Sequence, residues 1–385
     1  MKKLSFKTIS YLLHLWLGMI SGVIVFIVAI TGCIYTFQTE LHDIFQPRQY
    51  VEVQNKPFLS PSELRDKSKQ YIYASPADSS NVIYGITYTK QNKAATVAYN
   101  HYENGYTLLV LNPYSGDYLG TQVLKDDFFR FVLSGHRNLW LPYPIGHQIV
   151  GWAVLIFVIV LITGIILWIP KKWNKKSLKP RLTIKRKSGF FRLNYDLHNV
   201  LGIYAAFIVL AIALTGLTWS FEWFANSYYK VISGGEEPKK WITAESDSTA
   251  VSPLENTANI LWEKVKTEYP VGIEGSLIFD FPNKKTDTYR IGFNSANDDT
   301  YYKRHFRFFD QYTLKELEGG GMYSIKYEDS SAGDKFYRMT YDIHVGAIGG
   351  FAGKLLVFLA SLITASLPIT GFILWWKKRH KHKVK

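Results

Sequence analysis

One cysteine, Cys33, stands in a chain of 385 residues. It excludes a disulfide within the chain and an iron–sulfur cluster held by cysteines alone. A nucleotide-binding signature is lacking too. Gly350-Phe351-Ala352-Gly353-Lys354 has the wrong spacing for a phosphate loop, and Leu355 stands where Ser or Thr is needed. No nucleophile–base set is evident. Acids are scarce in a patterned way: Lys171–Arg192 holds ten Lys and Arg and no Asp or Glu, and Lys377–Lys385 holds six more. With Lys2, Lys3 and Lys7 these make nineteen of the 45 basic residues, leaving 26 against 31 acids elsewhere. The net charge of +14 is therefore a local feature and not the footprint of a nucleic-acid binder.

What is present in excess is apolar length. A hydrocarbon layer of about 30 Å needs roughly 20 apolar residues of helix. Runs at 11–37, 147–169, 199–221 and 355–376 qualify. The first is too long for the apolar region of a cleaved signal and lacks a small-residue cleavage site, so it is expected to be an uncleaved anchor. Basic residues favour the cytoplasmic side. Both termini and the middle loop are therefore expected inside, and the two long inter-helix regions outside. None of the four runs carries a charge at mid-depth.

Four histidines stand at matched places beside these runs. His14 and His198 each precede a glycine by four residues (Gly18, Gly202) and the glycine of a Thr-Gly pair by eighteen (Gly32, Gly216). His136 and His344 precede the second and fourth runs, which also close in Thr-Gly (Thr163-Gly164, Thr370-Gly371). Ionisable groups beside a bilayer are costly and usually functional. Depth decides the pairing: His14 with His198 near the inner face, His136 with His344 near the outer. Neutral imidazoles facing each other across a bundle suit the two axial positions of a b-type haem iron, which would make these four residues the metal ligands of two haems. Two protein ligands leave no open position and favour electron transfer. Zinc is the rival metal, but it wants three or four grouped ligands. His147 competes with His136 for the outer pair. His42, His101 and His305 are expected to be solvated, and His380 and His382 belong to the basic tail. Gly18, Gly22, Gly151, Gly202 and Gly353 would let a flat macrocycle or a neighbouring helix approach the backbone. Arg130, Arg137, Arg338 and Lys354 lie near the outer pair in sequence, as anchors for an anionic group or as solvated charges.

The expected fold class is a membrane α-helical bundle of four transmembrane helices, built by tandem duplication, with two small α+β extracytoplasmic domains. His14 to His198 and Thr31 to Thr215 are both offsets of 184. The expected boundaries are 1–39 for helix one, 40–134 for the first outer domain, 135–170 for helix two with its histidine segment, and 171–195 for the basic loop. Then follow 196–221 for helix three, 222–342 for the second outer domain, 343–376 for helix four, and 377–385 for the basic tail. Ser60-Pro61-Ser62-Glu63-Leu64 and Ser252-Pro253-Leu254-Glu255-Asn256 each read as a helix start. Thr107–Leu111 and His305–Phe309 read as strands, each entering a turn-like segment: LNPYSGDYLG at 111–120 and FDQYTLKELEG at 309–319.

The early His-x-x-x-Gly, the closing Thr-Gly and the aromatic exits Leu167-Trp168 and Leu374-Trp375-Trp376 resemble the PepSY-associated transmembrane family. The segments Ser134–Leu139 and Asp342–Gly346 add to the likeness, and the outer turns resemble the last strand and turn of the PepSY fold. Leu314 replaces the glycine found at Gly116, a departure in the second copy. The family includes iron-regulated inner-membrane proteins and di-haem ferric-siderophore reductases. The resemblance implies His14, His136, His198 and His344 as axial ligands of two haem b groups, PepSY-like outer domains, a bacterial inner-membrane location, and reduction of Fe(III) chelates outside the membrane. Such a reductase needs only single electrons, with no protein acid–base pair. Its donor would be a quinol or a cytosolic flavoprotein on the basic face. Two other classes stay open. One is a non-redox PepSY membrane protein that binds a peptide, protease or signalling partner; the other is a transporter built on the repeat.

Overall fold

The computed structural model describes residues 5–46, 49–247, 249, 256–269, 271–272, 275–296 and 300–381. The chain divides into two units. One comprises Met1–Gln38, Phe131–Tyr228 and Tyr341–Lys385, and the other comprises Thr39–Arg130 and Tyr229–Thr340.

The first unit is a bundle. Among the described residues four helices are long and apolar enough to cross a membrane: Phe6–Thr36, Tyr143–Trp168, Phe190–Ser220 and Ala347–His380. Each starts ahead of the apolar run read from the sequence, because polar and aromatic residues at the run's edge continue the same helix. Ser5 caps the first, its Oγ accepting from the Thr8 amide at 3.2 Å. The first span packs on the second and fourth, and the third also packs on the second and fourth, which closes a ring of four. Val25, Phe157, Val160, Leu161, Ala205, Val209 and Ala360 fill its middle. Two helices depart from ideal form. A π-helical turn, Leu197–Leu201, interrupts the third span and carries His198. Such turns are rare inside α-helices and occur frequently at functional sites. Pro368 lies inside the fourth span, and Gly22 of the first span faces its ring, where an added Cβ would stand 3.2 Å away.

The second unit is one eight-stranded antiparallel sheet. The strands are β1 (Val82–Tyr88), β2 (Ala95–His101), β3 (Gly105–Leu111), β4 (Tyr118–Val123), β5 (Ser276–Asp280), β6 (Thr288–Asn294), β7 (Arg304–Asp310) and β8 (Glu316–Leu317). Their order is β4-β3-β2-β1-β5-β6-β7-β8, so each half contributes a four-stranded meander and β1 pairs with β5 at the join. The two inter-helix regions, expected as separate small domains, thus share a sheet and a core. Helices Pro61–Ile72 and Thr257–Glu268 meet each other, and their Leu64, Ile72, Leu261, Trp262 and Val265 join Ile86, Tyr88, Leu109, Phe279, Ile291 and Phe309 of the strands. Each such side chain contributes about 1.5–3 kcal/mol when fully buried.

The first helix starts as its sequence indicates: Ser60 and Glu63 form a capping box with Pro61 at the first turn. For the second, the expected start Ser252–Glu255 lies outside the described residues, and the helix begins at Thr257 after Asn256. The two strand-to-turn segments have matching hydrogen bonds. The Gly116 amide donates to the Asn112 carbonyl, and the Tyr114 amide to the Asn112 side chain. Likewise the Leu314 amide donates to the Asp310 carbonyl, and the Tyr312 amide to the Asp310 side chain. Gly116 has φ +76° and Leu314 φ +56°, so the second turn keeps the left-handed conformation despite losing its glycine. Packing of Leu314 against the core offsets the strain, which is about 1–2 kcal/mol.

Candidate functional site

The four histidines meet in two pairs inside the bundle. The ring centroids of His14 and His198 are 6.2 Å apart with planes at 83°. Those of His136 and His344 are 6.2 Å apart at 71°. His14 and His198 sit on the first and third spans. His136 lies near the end of helix Phe128–Asn138 and His344 ends helix Thr340–His344, both ahead of the span that follows. Depth along the helices thus brings together the pairs that the sequence suggested.

Each ring is held by a Thr-Gly pair on a neighbouring span. His14 Nδ1 donates to the Val160 carbonyl at 3.0 Å, with Thr163 Oγ1 at 3.4 Å. His136 Nδ1 donates to the Val28 carbonyl at 2.9 Å, with Thr31 Oγ1 at 3.4 Å. His344 Nδ1 donates to the Ile212 carbonyl at 2.9 Å, with Thr215 Oγ1 at 3.1 Å. In these three the carbonyl belongs to the residue three before the threonine. In the fourth, His198 Nδ1 lies 2.9 Å from Thr370 Oγ1, whose own hydroxyl donates back to the Ser366 and Leu367 carbonyls. The glycine after each threonine lets the ring in. A Cβ at Gly164, Gly32, Gly216 or Gly371 would stand 3.1–3.2 Å from Cε1 of His14, His136, His344 or His198. This explains the Thr-Gly repeats: the threonine and its preceding turn bind a histidine, and the glycine makes room for it.

The tautomer follows. A carbonyl only accepts, and a threonine hydroxyl already donating elsewhere accepts from its other neighbour, so all four Nδ1 atoms carry the proton. Nε2 then keeps its lone pair and is the nitrogen available to the cavity.

Two cavities contain these pairs. One, called inner after the expected topology, is about 540 Å³ and is lined by His14, His198, Gly18, Gly22, Gly164, Gly202 and Gly371. The outer, about 360 Å³, is lined by His136, His344, Gly32 and Gly216. Both fall within the range of roughly 300–1,000 Å³ that holds cofactor-sized ligands. Val25 and Phe157 line both, so a thin apolar layer separates them. With metal–imidazole bonds of about 2.0–2.1 Å and about 1.1 Å from nitrogen to ring centre, two imidazoles on opposite sides of one metal would have centroids about 6.3 Å apart. The observed 6.2 Å separations fit a metal held between the rings whose remaining ligands come from a flat macrocycle. Among the described residues no group of three or more His, Cys, Asp or Glu side chains gathers to hold a metal ion by protein donors alone.

His147 also lines the outer cavity, but its Nε2 lies 3.1 Å from the Trp219 carbonyl and its ring stacks on Tyr143 at 4.7 Å. It is not the ring opposite His344; His136 is. Trp219 stands edge-on to His344 at 5.3 Å. Arg137 lines the outer cavity. Arg338 belongs elsewhere: it is fully buried in the sheet unit, donating to the carbonyls of Tyr302, Met322, Ile325 and Arg304 and to Ser330 Oγ. Lys354 is buried near the start of the last helix, and Arg130 lies in the sheet unit. The expected solvation of His305 is corrected. It is 5% exposed, its Nε2 is 2.8 Å from the Tyr269 hydroxyl, and burial pushes its pKa down to about 4, helped by the charges of Lys326, Arg338 and Arg307. His42 and His101 are half-buried, each near an aspartate (Asp127 and Asp78). His380 is exposed, and His382 lies outside the described residues. Of the glycines, Gly151 faces Ser220 and Phe221 and Gly353 faces the Gly346 backbone, so these two serve packing.

One signal present in the sequence went unread. Tyr195-Asp196-Leu197-His198 and Tyr341-Asp342-Ile343-His344 repeat a Tyr-Asp-x-His string, and both aspartates are wholly buried. Asp196 takes a salt bridge from Arg192 at 2.9 Å and accepts from the Lys185 amide at 3.1 Å, pinning the basic loop beside the histidine turn. Arg181 and Lys378, which line the inner cavity, also went unnamed.

A family model described as the PepSY-associated TM region matches residues 11–378. No curated protein matches the chain at a significant level.

Proposed function

The chain belongs to the family of the PepSY-associated TM region, and within it we propose a di-haem b electron-transfer protein that carries single electrons across a bacterial inner membrane to ferric chelates, a ferric-siderophore reductase. His14 and His198 would hold the inner haem, and His136 and His344 the outer. When bound, haem b supplies reversible one-electron iron chemistry. The chain's own residues do the rest. The four Nδ1 bonds fix the tautomer and orient each ring, as the partners behind a metal-bound histidine do. The glycines admit a flat ring against the backbone. Val25 and Phe157, which line both cavities, put apolar side chains between the two sites.

The basic loop and tail would lie in the cytoplasm with both termini, and the sheet unit in the periplasm. The donor is then a quinol or a cytosolic flavoprotein, and the acceptor an Fe(III) chelate outside, taking one electron per iron and holding Fe(II) less tightly in hard oxygen ligands. The matching histidine–threonine–glycine sets and the two matching turns support reading the chain as a tandem duplication with PepSY-like halves. One observation carries this proposal: two histidine pairs, each 6.2 Å apart, with every Nδ1 committed to the protein.

The test has two steps. Protein purified from haem-replete cells should show b-type bands in a reduced-minus-oxidised spectrum. Reduced anaerobically and mixed with a panel of ferric siderophores, it should reoxidise with at least some of them. A colourless preparation overturns the haem sites, and reduced haem inert to every chelate overturns the substrate.

A further inference from the structure

The inner cavity has two unlike ends. Toward the middle of the bundle it is apolar, closed by Val25, Phe157, Leu161 and Ala206. Toward the basic loop and tail, its lining includes two cations, Arg181 and Lys378. Both are tethered. Arg181 donates to the carbonyl of Trp168, the last residue of the second span, at 2.7 Å, and the Trp168 indole donates to the Arg181 carbonyl at 3.3 Å. Lys378 donates to the Tyr11 hydroxyl at 3.2 Å, and its ammonium stands 4.8 Å from the centre of the Tyr11 ring. Tyr11 lies one turn before His14, so this cation is fixed relative to the inner histidine pair. The outer cavity, by contrast, includes one Lys or Arg in its lining, Arg137.

We propose that Arg181 and Lys378 form a carboxylate-binding end of the inner cavity, which takes the two acid groups of an amphiphilic macrocycle seated between His14 and His198. This rests on the haem reading above. Two carboxylates brought to the edge of a bilayer need two partners, because an unpaired charge there is costly. A guanidinium and an ammonium on different elements can each meet one acid, while the apolar edge of the ring faces Val25 and Phe157. The ring then enters in one orientation, acids toward the charged loop.

The test compares haem b with its dimethyl ester, which has the same iron and ring but no free acid. Apo-protein carrying His136→Ala, so that only the inner site binds, is titrated with each pigment and followed by Soret absorbance. The parent should bind the diacid at least tenfold more tightly than the diester, the size expected of charge-assisted hydrogen bonds. Arg181→Gln with Lys378→Gln should erase that preference and leave diester affinity unchanged, which misfolding would not do. Arg181→Lys should restore part of it. Equal affinities in the parent, the result if these cations serve lipid headgroups instead, overturn the proposal and leave the haem sites standing. A preference that survives in the double variant also overturns it. Failure of both pigments to bind overturns the haem reading itself.

Discussion

Replacing Gly164 with Ala adds one methyl group against the His14 ring. The new Cβ would stand 3.1 Å from Cε1 and 3.4 Å from Nδ1, closer than ordinary contact. Helix backbone on one side cannot yield, so the imidazole must retreat by a few tenths of an ångström. That stretches the 3.0 Å bond from Nδ1 to the Val160 carbonyl and turns the ring off its rotamer. Rotamer strain of about 0.5–1.5 kcal/mol, with part of a hydrogen bond worth about 1 kcal/mol, gives roughly 1–2 kcal/mol. Metal bonds tolerate about 0.2 Å, so the loss falls on cofactor retention. The inner haem proposed above should leave about five to thirty times faster. Gly32→Ala does the same to His136 and should loosen the outer haem alone. The assay is haem transfer to excess apomyoglobin, with the two sites told apart by their bands. Gly189→Ala, where a Cβ meets nothing within 4 Å, is the control. Unchanged loss rates in both variants, or loss of both haems from either one, would refute the threonine–glycine cradle.

Three further outcomes are expected. His14→Ala or His198→Ala should remove the inner haem only and His136→Ala or His344→Ala the outer only, by pyridine haemochrome count, while His147→Ala keeps both; loss of a haem with His147 would contradict the pairing. His305, near 6.5 in the unfolded chain and held at about 4 in the fold, resists protonation there, so its contribution is intact above pH 6.5 and falls as pH drops toward 4, by up to about 3 kcal/mol. Melting of the sheet unit across that window should flatten in His305→Gln, and parallel curves would sink the assignment. Arg338→Met removes a buried guanidinium that donates to the Met322 carbonyl and the Ser330 hydroxyl, and should cost about 3 kcal/mol in denaturant unfolding of the same unit, with haem content unchanged.

The bundle and the histidine pairs were legible because depth in a membrane is nearly one-dimensional: position along a span tells which end a residue occupies, and His14 with His198 follows. What holds each ring was not legible, since the Val160 and Val28 carbonyls reach their histidines from another span, and no spacing within one helix encodes that. The Thr-Gly pairs were visible but open between packing and cofactor roles. The common sheet was hidden for a similar reason. Nothing local in Val82–Tyr88 says that its second neighbour is Ser276–Asp280, far along the chain. His305 was misjudged although strand alternation places it on the same face as Phe309, which is buried.

The pairing of β1 with β5 bears on how the protein is made. Synthesis runs from the N-terminus, so β1 to β4 emerge before the second span, and β5 only after the third. During that interval β1 is an edge strand. Its backbone donors and acceptors lack the partner they have in the fold, and Ile86 and Tyr88 lack Trp262 and Phe279 from the shared core. Such an edge is a template for any other strand, including that of a second nascent copy. The first inter-helix segment cannot complete its sheet on its own and must wait until two more spans have been made. Assembly of this protein therefore depends on protecting one strand until its mate arrives, a demand set by the pace at which the second and third spans are made.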